Sequence, residues 1–170
     1  MSKALKDYNT FSESERIFCA KFAEQHHHAL LRQAYAQTAD HAKEEIKQIY
    51  DDLSEIIKRN KAWKEKLLVV SDFNAKGIAG TFGLGDRNNS GSLLLECCKK
   101  LHLFITNTWF EQKESARNTR TSPGDRYRNQ IDFVLCNQRY RNIIQNSKVR
   151  HGVDCGSDHK PVIITSKRSG

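Results

Sequence analysis

An α/β fold, with sheet and helix stacked in layers, is what this chain of 170 residues predicts. Three observations carry that expectation. Short apolar runs recur along the chain, bounded by turn-forming residues, as buried or half-buried strands do. The long segment 38–60 instead places Ala42, Ile46, Ile49, Leu53, Ile56 and Ile57 three and four residues apart, the period of an amphipathic helix. The two patterns alternate, and each needs the other to cover its apolar face.

In chain order, residues 17–22 and 29–35 read as two strands about a hairpin tip holding His26, His27 and His28, with metal binding by the triple histidine as the alternative. Residues 38–60 form the helix, with Thr38 or Asp40 at its start. Leu67-Leu68-Val69-Val70 is an unbroken apolar run between charge and a turn, which suits a strand buried on both faces. Residues 75–90, rich in Gly, Asn and Asp, form a loop. Ser90 or Ser92 starts a second helix carrying Leu93, Leu94, Leu95, Cys97 and Cys98. Residues 103–107 are the next strand, and 111–129 a long polar and basic loop of the kind that often carries function. Residues 131–136, 145–150 and 161–165 are the last three strands. The chain 1–170 is expected to form one domain, with 1–12 and 166–170 flexible.

Composition narrows the class. Nine Gly and two Pro exclude collagen-like and Pro-rich chains. No apolar run approaches the roughly 20 residues that span a bilayer, and the first ten residues hold no signal-peptide core. An intracellular protein is expected, nuclear if DNA is its substrate. The cysteines at 19, 97, 98, 136 and 155 are odd in number and lack a CxxC pair, so free thiols are expected rather than a disulfide framework or a zinc site. The net charge is +8, and it is uneven: residues 1–85 carry 13 basic and 12 acidic side chains, residues 86–170 carry 15 and 8. A polyanionic partner, DNA above all, fits that asymmetry; a solubilising surface is the plainer reading of charge alone.

Three short polar groups adjoin the expected strands: Ser71-Asp72-Phe73-Asn74, Asn129-Gln130-Ile131-Asp132 and Ser157-Asp158-His159. Asp132 stands out, because an aspartate beside Ile131, Phe133, Val134 and Leu135 requires a partner if buried. A histidine suits it, since a carboxylate fixes one imidazole tautomer. Together the groups supply metal-assisted phosphodiester hydrolysis: Asp72 to deprotonate water, Asn74 to hydrogen-bond the water or a phosphoryl oxygen, Asp158 as a hard ligand for Mg²⁺, and His159 held by Asp132 to serve the phosphoryl group.

These groups, in this order, resemble the endonuclease/exonuclease/phosphatase superfamily of DNase I-like fold. Ser14-Glu15-Arg16-Ile17, the stretch from Tyr35 to Asp40, Ile105-Thr106-Asn107-Thr108-Trp109-Phe110 and Tyr127-Arg128-Asn129-Gln130-Ile131-Asp132 are similar to endonuclease domains of LINE-type retrotransposons and the derived craniofacial development protein 2-like group. The resemblance implies the C-terminal part of a four-layer αββα sandwich and a DNA-nicking endonuclease that uses Mg²⁺ or Mn²⁺. By position, Tyr35 resembles a phosphate-contacting tyrosine. Asp72, Asn74, Asp132 and His159 resemble the catalytic set, and Asp158 a metal ligand. Thr119 falls at a nucleic-acid-contacting threonine, and Arg120, Arg126, Arg128 and Asn129 flank the site, with Lys113 and Arg117 as further phosphate contacts.

The departures carry weight too. Arg120 replaces an expected Trp, Ser71 an expected Gly and Gln37 an expected Pro. The family's opening strands bring an asparagine and a metal-binding glutamate, for which residues 1–170 show no counterpart; Glu13, Glu15 and Glu24 lie in other contexts. A partial domain is therefore expected, with weakened metal affinity and an exposed sheet edge inviting self-association. A non-enzymatic remnant that binds nucleic acid or protein is the alternative, and a phosphatase of inositol lipids or small phosphoesters a further one.

Overall fold

The structure is a computed structural model that describes residues 8–14, 17–24, 27–34, 43–59, 66–78, 82–121, 127–152 and 156–167. In order its elements are β1 (Tyr8–Ser14), β2 (Ile17–Glu24), β3 (His27–Ala34), α1 (Lys43–Arg59), β4 (Lys66–Asp72), α2 (Asn89–Lys100), β5 (Leu103–Ile105), β6 (Arg120–Thr121), β7 (Arg128–Asn129), β8 (Asp132–Asn137), β9 (Ile144–Val149) and β10 (Val162–Ser166). Short 3-10 turns cover Thr106–Thr108, Glu114–Ala116 and Gln138–Ile143.

Six strands form one sheet in the order β1-β2-β3-β4-β8-β5. Only β3 and β4 pair in parallel within it. A parallel pair cannot be closed by a hairpin, and α1 lies in the connection that crosses over between them. β9 and β10 pair antiparallel in a second sheet, and β6 and β7 form a two-residue ribbon.

The part of the large sheet formed by β4, β8 and β5 is covered on both faces. Leu67 and Val69 of β4, Leu103 and Ile105 of β5, and Phe133 and Leu135 of β8 share one core with Ile46, Tyr50, Leu53 and Ile57 of α1 and Leu94, Cys97 and Cys98 of α2. The strand residues that alternate with these, Leu68, Phe104 and Cys136, pack instead with Ile144 of β9 and Ile164 of β10. A period of two sends neighbours to opposite faces, so an unbroken apolar run is what a strand between two layers requires. The result is helix on sheet on sheet. Each fully buried Leu contributes roughly 1.5–3 kcal/mol.

The structure corrects several boundaries. β1 occupies residues expected to be flexible and pairs along β2. Glu24 pairs with His27, so His27 and His28 belong to β3 rather than to a hairpin tip. α1 is described from Lys43 onward, and the expected start at Thr38 or Asp40 lies outside the described residues. α2 begins at Asn89 and is capped by Asn88, whose side-chain oxygen accepts from the Gly91 N–H, in place of Ser90 or Ser92. Gly91 is required there, because a Cβ would collide with the Lys76 carbonyl that passes the first turn. The 111–129 loop holds the β6–β7 ribbon and a 3-10 turn. Cys97, Cys98 and Cys136 are buried free thiols. Among the described residues, no helix is long and apolar enough to cross a membrane.

Candidate active site

β4 and β8 run antiparallel, and their register sets Asp72 directly against Asp132. Asp72 ends β4 and Asp132 begins β8, so two adjacent strands carry two carboxylates to one end of the sheet. His159 precedes β10 and is tied to that end by a β-bridge to Arg120 of β6. Its Nδ1 lies 2.9 and 3.0 Å from the two oxygens of Asp132. With Nδ1 so held, Nε2 is aimed at Asp72, 3.8 Å from Oδ2, and at Asp158, 3.7 Å from Oδ1. The pair that the apolar context of Asp132 demanded is thus present, 27 residues apart in the chain.

Asp72 is the most enclosed of the three, its side chain 13% exposed. Burial raises its carboxyl pKa above the ordinary value, and the nearby Asp132 adds to the rise. The Asn74 N–H, His159 and Arg120 oppose that rise. Asn74 N–H reaches Asp72 Oδ1 at 2.9 Å because Asn74 sits at φ 46°, a left-handed turn that Asn tolerates better than most residues. Asn88 braces the same turn: its Nδ2 donates to the Asn74 carbonyl at 2.8 Å, while its Oδ1 caps α2. One side chain therefore couples the start of α2 to the Asp72–Asn74 turn.

Asp132 is positioned from below. The Thr119 hydroxyl accepts from the Ile131 and Asp132 N–H groups at 3.0 and 3.1 Å. Asn107 donates from Nδ2 to the Asp132 carbonyl at 2.9 Å, and its Oδ1 accepts from Val134 N–H at 3.1 Å. Gln130 in turn donates to the Asn107 carbonyl. Asn107 and Asn88 had no assigned role from the sequence, since their partners lie far along the chain.

The remaining candidates divide. Thr119 is fully buried, so its role is internal, and the expected nucleic-acid contact is corrected. Arg117 likewise turns inward, its Nη1 donating to the Phe82 carbonyl at 3.1 Å. Arg120 Nε donates to Asp158 Oδ2 at 2.8 Å, and that hydrogen bond holds the Asp158 carboxyl below its usual range. Both side chains are more than a third exposed, so solvent leaves the pair little stabilising weight. Arg120 lies on β6, and Arg128 and Asn129 on β7 opposite it, beside Tyr127, which is 70% exposed. Tyr35 and Arg126 lie outside the described residues.

One ligand atom from each of Asp72, Asp132 and His159 lies within 4.8 Å of the others. Two carboxylates converging in a half-buried site favour a cation between them, and hard oxygen donors suit Mg²⁺ or Mn²⁺. The donor set therefore fits the expected ion. Asp158 is not one of these three, and its Oδ2 accepts from Arg120 Nε.

Residues 29–163 match the profile of a family described as endonuclease-reverse transcriptase. The chain is 38% identical over 158 residues to craniofacial development protein 2 of Bos taurus and 35% identical to that of Tragulus javanicus. These matches cover 89% of this chain but only 26% and 27% of the relatives, so the chain spans about a quarter of the length of the curated proteins it matches. Among solved structures, the endonuclease domain of TRAS1, a telomere-specific non-LTR retrotransposon, aligns with a TM-score of 0.72 at 18% identity, covering 96% of this chain and 70% of that one. A 3′ phosphatase, NExo, from Neisseria bound to product DNA hairpin aligns at 0.67 with 13% identity, covering 96% and 71%. At such identities the likeness is one of fold.

Proposed function

We propose that this chain, which belongs to the endonuclease-reverse transcriptase family and has a DNase I-like fold, is a metal-dependent phosphodiesterase domain that nicks DNA. One observation carries the reading: the register of β4 against β8 sets Asp72 beside Asp132 at one end of the sheet, where His159 joins them through Asp132.

The residues divide the work. Asp72, made more basic by burial, accepts the proton of the attacking water. Asn74 fixes that carboxylate through its N–H, and its amide shares the turn. His159 is oriented by Asp132, as an imidazole is in carboxylate-supported catalysis, and meets the phosphoryl group through Nε2. Arg120 is tied to Asp158 by Nε among the contacts described, and its other N–H groups would serve a phosphate. Asp72 and Asp132 would hold a divalent ion, which would supply neutralisation of charge on the leaving oxygen. Arg120, Arg126, Arg128 and Asn129 would hold the backbone of the DNA, and exposed Tyr127 offers a stacking face. Such a substrate implies work in the nucleus. β1 is an edge of the six-stranded sheet, and we include self-association through it, checked by sedimentation at rising concentration.

Nicking of supercoiled plasmid tests the proposal. Nicks that need Mg²⁺, vanish with EDTA and vanish in Asp72→Asn are expected. A folded protein that binds DNA but never nicks it would instead establish the alternative, a nucleic-acid-binding domain without activity.

A further inference from the structure

A second basic feature lies outside the cluster of Asp72, Asp132 and His159. Between the segment that opens the long loop and the end of β9 runs a groove of about 540 Å³. Lys113 lines one bank; Lys148, Arg150 and His151 line the other, and no carboxylate lines it. Ile163 of β10 contributes to its lining from beside Lys148, its partner in register.

The groove is built rather than incidental. Gln112 Nε2 donates to Asn146 Oδ1 at 2.7 Å and joins the two banks at one point. The His151 ring meets the Ser115 carbonyl at 2.9 Å through Nε2 and joins them at another. Lys148 and Arg150 are both exposed, while Ser147 and Val149 are buried, so the alternation of β9 carries to the residue just past its end and sets the two cations on one side. Two residues of strand separate them by roughly 7 Å, the scale on which neighbouring phosphates recur along a nucleic-acid strand. Among the described residues, neither Lys148, Arg150 nor Lys113 is engaged in an ion pair with a carboxylate.

We propose that this groove is a phosphodiester-backbone site that grips DNA away from the bond being cut, with Lys113, Lys148 and Arg150 each facing a phosphate. The proposal rests on the nuclease reading and names where its substrate extends. Contacts of this kind add affinity and register without reading sequence. They also leave a signature, because each phosphate contact adds about 0.9 to the slope of log K against log salt on duplex DNA.

The test is fluorescence anisotropy of a labelled short duplex at several salt concentrations, in EDTA so that no strand is cut. Lys148→Ala/Arg150→Ala is compared with Lys47→Ala/Lys58→Ala, which removes the same charge from exposed positions of α1. The groove variant is expected to bind more weakly and to lose about 2 from the magnitude of the slope, one phosphate contact for each side chain. The α1 variant is expected to match wild type. Equal slopes in wild type and the groove variant, or equal losses in both variants, would overturn the groove while leaving the nuclease reading intact. Wild-type protein that neither binds nor nicks DNA would overturn both.

Discussion

Replacing Thr119 by Val is the sharpest probe of how the site is held. The two side chains have nearly the same shape, so no cavity opens, and Thr119 has no exposure through which solvent could compensate. What is lost is one oxygen that accepts from two backbone donors, Ile131 N–H at 3.0 Å and Asp132 N–H at 3.1 Å. A buried donor left without a partner costs about 1–3 kcal/mol. The Ile131 contact is buried and the Asp132 contact partly so, which places the loss at about 2–4 kcal/mol. Thr119→Ser keeps the oxygen and loses one methyl, a cost of about 0.8 kcal/mol. Guanidinium unfolding of both variants measures the difference as a shift in midpoint at constant slope. Nicking should fall in the Val variant as well, because the Asp132 N–H is among the groups released. A Val variant within about 0.5 kcal/mol of the Ser variant would refute the claim that this hydroxyl anchors the start of β8.

Further outcomes follow from the same geometry. The folded chain holds Asp72 at a raised pKa, so it binds that proton more tightly than the unfolded chain does. The stability this provides is complete below the unfolded pKa of about 3.9 and is lost as pH climbs through the raised folded value. At neutral pH the ionised side chain is a net cost, and Asp72→Asn should gain about 0.5–2 kcal/mol at pH 7 while abolishing nicking; an equally stable or weaker variant in thermal melts would contradict it. Asn88→Asp keeps the oxygen that caps α2 but cannot donate to the Asn74 carbonyl, so stability should hold within about 1 kcal/mol while nicking drops. A variant nicking at the wild-type rate would show the brace to be idle. Burial pushes the Cys97 thiol up to about 11 and that of Cys136 to about 12, and raises Cys98 too. These three should stay unreactive toward a thiol reagent at pH 8 until the chain unfolds, as labelling followed by peptide mapping would show.

Much of this arrangement was legible in the sequence where the signal is local. The three-and-four spacing from Ile46 to Ile57 identified the buried face of α1. The run from Leu67 to Val70 identified a strand packed on both faces, because only such a strand has no polar side to show. Asp132 inside an apolar strand announced its need for a partner, and His159 stands against it. What stayed hidden depends on distant pairing. Asn88 looked like one more loop residue until its contact with Asn74, 14 positions away, set the start of α2. Asn107 looked like the end of a strand, yet it clasps β8 from 25 residues away. Thr119 lay in a basic loop that reads as exposed, but a two-residue ribbon, β6 with β7, turns it inward. Pattern along a chain reports which face is wet; it does not report which distant backbone group a buried amide or hydroxyl will satisfy.

The central claim is that Asp132 and His159 act as one unit opposite Asp72. Plasmid nicking rates for Asp132→Asn, His159→Ala and the double variant test it most directly. Residues that work as a unit lose their effect together, so the double variant should be no slower than His159→Ala alone. Losses that multiply in the double variant, or a His159→Ala protein that nicks at the wild-type rate, would contradict the account.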